Sequence, residues 1–87
     1  MPMAHRWLDM ATKLDLSGLK CPLPALKTRK ALRGLAPGER IEVVCTDPLA
    51  SIDIPNLLAE TGDLMIATER QAGRIVFVIE KASDGGG

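Results

Sequence analysis

The 87-residue chain carries 11 basic and 11 acidic side chains and has no net charge at neutral pH, which argues against strong binding to nucleic-acid phosphates. Two cysteines and one histidine are too few for a disulfide-stapled secreted fold or a structural zinc site, so neither a metal nor a cofactor is expected. No apolar run has the length of a membrane span and the N-terminus lacks a signal-peptide pattern, so we expect a cytoplasmic protein without membrane contact.

The two ends of the chain are expected to lie outside the folded domain. Residues 1–11 show no clear hydrophobic period and are predicted to form a flexible N-terminal extension. Residues 83–87 are rich in glycine and are predicted to form a disordered tail. The sequence therefore predicts one small domain over residues 12–82.

The first predicted strand leads into a cysteine. Residues 13–16 alternate between polar and apolar side chains, and the Ser-Gly pair at 17–18 ends this pattern. Cys21 then opens the run Cys21-Pro22-Leu23-Pro24. Both prolines are tolerated in the first turn of a helix, where the N–H groups have no intrahelical acceptor. The sequence therefore predicts a helix that begins at Pro22, with Cys21 as its N-cap.

Cys21 is expected to act as a nucleophile. A sulfur at the N-cap faces the positive end of the helix dipole, with the N–H of Leu23 free to point at it and Lys20 beside it. These features are expected to lower the pKa of the thiol below its ordinary value of about 8.5. A dithiol oxidoreductase would need a second cysteine where this chain has Pro24. A lone activated sulfur instead favours a persulfide, Cys–S–SH, whose outer sulfur passes to another protein, so we expect a carrier rather than a stand-alone enzyme.

The predicted helix over residues 22–33 has an apolar side and a basic side. The side expected to cover a sheet carries Ala25, Thr28, Leu32 and Leu35. Leu23 and Leu26 are expected to point away from the sheet, together with Lys27 and Lys30. This mixture of leucines and lysines near the thiol predicts a docking face for an acidic protein partner. An ordinary solvated helix face is the alternative.

A second strand is predicted over residues 40–46 from its alternation and β-branched side chains. Ile41, Val43 and Cys45 share one face, which makes Cys45 a small core residue. If the first two strands are parallel neighbours, Cys45 comes near Cys21, so a regulatory disulfide between them stays open at this point.

A second helix is predicted after the turn at Asp47-Pro48. Ser51 is expected to cap this helix and Pro55 to lie within its first turn. Asp53, in the same turn, complements the helix dipole. Asp47 and Asp53 are also candidates for contact with the basic surface of a donor protein, because loops at this edge of a sheet often carry binding residues. Neither aspartate is expected to be a general base, because no second carboxylate, serine or histidine accompanies it.

The last two strands are predicted over residues 64–71 and 74–81, joined as a hairpin by a turn at Ala72-Gly73. The face expected to pack on the helices carries Ile75, Phe77 and Ile79. The opposite face carries Val44, Val76 and Val78, an apolar patch that would support dimerisation or partner contact if no third layer covers it, so we expect a monomer or a weak dimer.

Several short motifs are shared with a known family. They are the run Gly18-Leu19-Lys20-Cys21-Pro22-Leu23-Pro24, the pairs Pro37-Gly38 and Asp47-Pro48, the triplet Asp53-Ile54-Pro55 and the closing Ile79-Glu80-Lys81. Over residues 13–81 the chain resembles the TusA/SirA family of small sulfur carriers. The resemblance implies an α/β two-layer sandwich of order β-α-β-α-β-β, with a mixed four-stranded sheet and two helices on one face.

The resemblance also implies a function for the cysteine. Cys21 would accept sulfur from a cysteine desulfurase or a rhodanese-like donor and relay it to an acceptor protein, with Lys20, Pro22, Leu23 and Pro24 as its supporting neighbours. Family members that act in tRNA thiolation often have an acidic residue between the two prolines, where this chain has Leu23. The pathway therefore stays open between tRNA thiolation, molybdenum cofactor enzymes and sulfur oxidation.

A second class of function competes with the carrier. A thiol-based redox or regulatory adaptor would use Cys21 and the basic helix to bind a partner, without transferring sulfur. Direct contact with nucleic acid is not expected, because one Trp, one Phe and no Tyr leave no platform for stacking bases.

Overall fold

The computed structural model describes residues 12–82. The elements are β1 (Thr12–Leu16), α1 (Leu23–Arg33), β2 (Arg40–Cys45), α2 (Ala50–Thr61), β3 (Leu64–Gln71) and β4 (Arg74–Glu80). One sheet of order β1-β2-β4-β3 has β1 and β2 parallel and the other neighbours antiparallel. This confirms the predicted α/β two-layer sandwich. The predicted N-terminal extension and glycine-rich tail lie outside the described residues.

Parallel pairing of β1 with β2 determines where the functional loops lie. Their register ends at Leu16 opposite Cys45, so both strands finish at the same edge of the sheet. The loop from β1 to α1, which carries Cys21, therefore starts beside the loop from β2 to α2, which carries Asp47. Two segments that are 26 residues apart in the chain are in direct contact here.

The core lies between the sheet and the two helices. The sheet contributes Leu16, Ile41, Val43, Cys45, Ile75, Phe77 and Ile79, and the helices contribute Leu32, Ala50, Ile54, Leu57 and Leu58. The predicted inward faces of β2 and β4 are thus confirmed. On α1, Thr28 and Leu32 are buried as predicted, Pro24 is buried with them, and Ala25 is half-buried, as is Leu35 just after the helix.

The opposite face of the sheet exposes less apolar surface than the alternation predicted. Val44 lies opposite Val76, and Val78 is opposite Ala67 on β3. Val76 is buried, and Val44 and Val78 are half-buried. A dimer through this face stays a prediction.

The start of α2 differs from its prediction. The helix begins at Ala50 with Leu49 as its N-cap, so Ser51 lies inside it and donates its hydroxyl proton to the Pro48 carbonyl over 2.8 Å. The Asp47 side chain instead accepts the Leu49 N–H over 3.0 Å, which accounts for the earlier start. Pro55 consequently lies inside the helix rather than in its first turn.

Cys45 provides a test of the core. Burial raises the pKa of this thiol from 9.0 to about 11. Since the unfolded chain ionises first, the stabilisation is complete below pH 9.0 and is lost as the pH rises to about 11. Between these pH values we expect the free energy of unfolding to fall by about 2 kcal/mol more in the wild type than in Cys45→Val. Urea denaturation across this range measures the difference, and parallel curves for the two proteins would contradict a buried thiol.

Candidate functional site

Cys21 lies in the turn that connects β1 to α1, and it is exposed. The helix begins at Leu23 with Pro22 as its N-cap, so the prediction that Cys21 is the N-cap was wrong. The cause is a hydrogen bond within the turn, because the Leu23 N–H donates to the Lys20 carbonyl over 2.8 Å and is not free to point at the sulfur. Pro24 still lies within the first turn, as predicted.

Asp47 fixes the backbone of the cysteine. One carboxylate oxygen accepts the N–H of Cys21 over 2.6 Å, and the other accepts the N–H of Leu49 over 3.0 Å. Asp47 is buried, and the N–H groups of Cys21 and Leu49 hold the pKa of its carboxyl below its ordinary value. Both oxygens of this candidate partner-binding residue are therefore engaged inside the fold, where they join the two loops.

Asp53 contacts the sulfur itself. The Cys21 thiol donates a hydrogen bond over 2.7 Å to a carboxylate oxygen of Asp53, in the first turn of α2. This bond raises the pKa of Cys21, and partial burial and the charges of Asp53 and Asp47 add to the effect. The prediction of a lowered thiol pKa was wrong, because two carboxylates lie near the sulfur and the N–H groups of Leu23 and Leu26 donate to the carbonyls of Lys20 and Pro22.

A groove of about 300 Å³ runs between α1 and α2 and begins at the thiol. Its lining comprises Cys21, Pro22, Ala25, Leu26, Arg29, Asp53, Asn56, Leu57 and Glu60. At its far end Arg29 and Glu60 form an ion pair over 2.6 Å that links the two helices. The sulfur, one carboxylate and an apolar wall are thus brought together in a cleft that is open to a partner.

Exposed apolar side chains lie on the segments around this groove. Leu23 and Leu26 on α1 are 43% and 54% exposed, as the sequence predicted. Leu49 and Ile52, at the start of α2, are 51% and 58% exposed and were not predicted to belong to the site. The sequence contained a signal for them, since both precede Asp53 by four residues or fewer in the segment that parallel pairing brings beside Cys21.

The candidate basic residues divide between two places. Lys20 is exposed in the turn next to Cys21. Lys27 and Lys30 line a separate groove of about 370 Å³ beside β1, with Leu14 and Ala31. The lysines of α1 are therefore not in the thiol groove, although they lie on the same helix as Leu26.

Three further properties concern residues 12–82 as a whole. No group of three or more histidine, cysteine, aspartate or glutamate side chains in this range is arranged to hold a metal ion. Neither α1 nor α2 is long and apolar enough to span a membrane. Both cysteines are free, and Cys45 is fully buried.

The Asp47 bonds provide a test of the loop arrangement. Because the pKa of Asp47 is lowered in the folded protein, its stabilisation is present above pH 3.8 and is lost as the pH falls below that value. We expect Asp47→Asn to lower the urea midpoint at neutral pH, and the difference from wild type to shrink in acid. Glu69→Gln, on an exposed position of β3, is the control. An equal effect in the control, or a difference that acid leaves unchanged, would contradict this role of Asp47.

Comparison with known proteins supports the resemblance seen in the sequence. Residues 12–81 match the family described as Sulfurtransferase TusA. The chain is 34% identical over 74 residues to sulfur carrier protein TusA of Allochromatium vinosum, a match that covers 85% of this chain and 97% of that protein. It is 35% identical over 71 residues to sulfur carrier protein TusA of Pseudomonas aeruginosa, with coverages of 82% and 90%. A relative from Aquifex aeolicus is 37% identical over 71 residues, which span 36% of that protein's length.

A solved structure agrees with the fold. The crystal structure of a SirA-like protein from Desulfitobacterium hafniense matches with a TM-score of 0.72 and 22% identity, over 83% of this chain and 99% of that one. This likeness concerns the fold alone. The family match over residues 12–81, together with relatives at about 35% identity, shows that the chain belongs to the TusA family of sulfur carriers.

Proposed function

We propose that this protein carries sulfane sulfur as a persulfide on Cys21. A cysteine desulfurase or a rhodanese-like protein supplies the sulfur, and a thiol of an acceptor protein receives it. The observation that carries the proposal is an exposed, unpaired thiol at the mouth of an open groove, in a member of a sulfur-carrier family. The reducing cytoplasm is the compartment that keeps such a thiol available between transfers.

The transfer is an exchange between sulfur atoms and involves no net oxidation. The Cys21 sulfur attacks the outer sulfur of the donor persulfide, the S–S bond of the donor breaks, and the inner sulfur leaves as a thiolate that takes up a proton. The product is Cys21–S–SH. Delivery repeats the step in the other direction, with a thiol of the acceptor as the nucleophile.

The burial of Cys45 favours a carrier over a redox adaptor. An intramolecular switch would need Cys45 to act as the second thiol, but Cys45 is fully buried and its pKa is raised to about 11. Attack by Cys45 would require the core around it to open. Cys21 therefore has its reaction partners on other molecules.

The docking face that we propose consists of the exposed apolar residues near the thiol, Leu23, Leu26, Leu49 and Ile52, with Lys20 in the thiol turn and Lys27 and Lys30 on the neighbouring groove of α1. The apolar part provides contact area, and Lys20, Lys27 and Lys30 favour partners with acidic surfaces. The acceptor protein belongs to one of three candidate pathways, which are tRNA thiolation, the supply of molybdenum cofactor enzymes, and sulfur oxidation. Trapping the mixed disulfide of Cys21 and sequencing the captured partner discriminates between these three.

Sulfur loading tests the assignment of the carrier residue. After incubation with a persulfidated donor, we expect mass spectrometry to find one additional sulfur atom on Cys21. The variant Cys21→Ser should take up none, because a hydroxyl is a poor nucleophile towards sulfur at neutral pH. Cys45→Val is the matched control and should load like the wild type. Equal loss in both variants would refute Cys21 as the carrier.

The docking face is tested by truncating one leucine. Leu26→Ala removes apolar contact without changing charge, and we expect the KM for a persulfidated protein donor to rise by about tenfold, as for a residue at an interface centre. Leu64→Ala is the control, since Leu64 on β3 is 50% exposed against 54% for Leu26. An unchanged KM in Leu26→Ala, or equal increases in both variants, would show that partners bind elsewhere.

A further inference from the structure

The side-chain carboxylate of Asp53 forms a hydrogen bond with the reactive sulfur and with no other group among residues 12–82. It accepts the hydrogen bond of the Cys21 thiol over 2.7 Å and forms no ion pair within this range. The carboxylate is half-buried, and both it and the sulfur line the groove between the helices. A carboxylate oxygen of Asp53 therefore accepts the thiol proton in a hydrogen bond, inside the groove that an incoming partner would cover.

Asp53 is the only charged group near the thiol, among the described residues, that is available to accept its proton. From the loop before α2, Asp47 uses both oxygens for backbone N–H groups. In the groove, the carboxylate of Glu60 is paired with the guanidinium of Arg29. Lys20, in the turn of Cys21 itself, has a side chain that donates hydrogen bonds and accepts none. Within the described chain, Asp53 is the carboxylate that the thiol contacts.

A docked partner changes the chemistry of this pair. When a protein covers the groove, water and buffer no longer reach the sulfur, so the thiol proton needs an acceptor inside the interface. Removing water from a carboxylate also favours its neutral, protonated form. During sulfur transfer the negative charge ends on the leaving sulfur of the donor and not on Cys21, so covering the groove favours the concerted step in which Asp53 takes the thiol proton.

We propose that Asp53 is a catalytic residue that takes the proton of Cys21 during sulfur transfer and acts only when a partner covers the groove. The inference rests on the proposed carrier function and adds the proton acceptor to it. It revises the expectation from the sequence that neither aspartate is a general base, because the thiol itself contacts Asp53. As the Cys21 sulfur bonds to the outer sulfur of the donor persulfide, its proton moves to Asp53. The donor S–S bond breaks, and its inner sulfur leaves with the bonding electron pair as a thiolate. After the partner departs, water takes the proton from Asp53.

This arrangement gives the free and docked proteins opposite properties. In the free protein the carboxylate holds the thiol in its protonated form, which is a weak nucleophile towards stray electrophiles. In the docked complex the same carboxylate assists the attack. Because Asp53 has these two roles, we expect a substitution that removes its carboxylate to speed the reaction of Cys21 with small reagents and to slow its reaction with a protein donor.

Asp53→Asn tests this prediction with three reagents, iodoacetamide, glutathione persulfide and rhodanese persulfidated with thiosulfate. The amide is similar in size to the carboxylate but accepts no proton at neutral pH. The two small reagents leave the groove open to water, so we expect Cys21 of the variant to react with them faster than the wild type does. Transfer from rhodanese should be slower by about tenfold or more, since a positioned base contributes at least that factor. Asp53→Glu should restore part of the rate of transfer from rhodanese. Glu69→Gln is the matched control and should react like the wild type.

The outcomes separate this inference from the carrier function. If Asp53→Asn accelerates all three reactions, Asp53 acts only through the charge of the free protein; if it slows all three, Asp53 only supports the local structure. Either result overturns the proposal, as does transfer from rhodanese at the wild-type rate. All of these leave the carrier function intact, provided that wild-type Cys21 loads sulfur. A wild type that takes up sulfur from neither persulfide overturns the carrier function and this inference together.

Discussion

The site depends on the pair of hydrogen bonds that Asp47 accepts across the edge of the sheet. One oxygen holds the N–H of Cys21 and the other holds the N–H of Leu49, so a single carboxylate connects the turn before α1 to the start of α2. A second bond, from the N–H of Gly18 to the hydroxyl of Thr46, spans the same two loops over 2.8 Å. Parallel pairing of β1 and β2 places these loops together, and the bonds then fix the sulfur against the first turn of α2.

The charge around the sulfur gives the free thiol low reactivity. Asp53 and Asp47 both raise the pKa of Cys21, and the thiolate is the form that attacks electrophiles and is oxidised. For a carrier, low reactivity in the free state protects the cargo position from side reactions. In the proposed function, selectivity comes from the groove and its apolar surroundings, which a matching protein surface covers. The proposal thereby makes the reactivity of the sulfur a property of the complex more than of the free chain.

Local sequence patterns predicted most of the fold and only part of the site. The bounds of β3 were predicted as observed, and the inward faces of β2 and β4 follow directly from alternation. The contact between Cys21 and Asp53 joins residues 32 positions apart, and it depends on strand register and on the rotation of α2 about its axis. Neither quantity can be obtained from local periodicity. The predicted shift of the Cys21 pKa had the wrong sign for this reason. The helix dipole can be inferred from neighbouring residues, whereas the contact with the Asp53 carboxylate depends on the tertiary structure.

A carrier with a single reactive thiol at a single groove restricts the order in which its sulfur donor and its sulfur acceptor can bind. Under the proposed function, the donor and the acceptor each bring a sulfur atom to Cys21, and each covers the cleft between α1 and α2 as it does so. The proposed function therefore requires the two partners to bind in succession and excludes a complex that contains both. Release must be fast for the same reason, which suits a small docking area with a polar margin, because interfaces of this kind are typical of transient complexes. The exposed leucines near the thiol fit this requirement, since they provide contact for either partner without a charge pattern that commits the face to one of them.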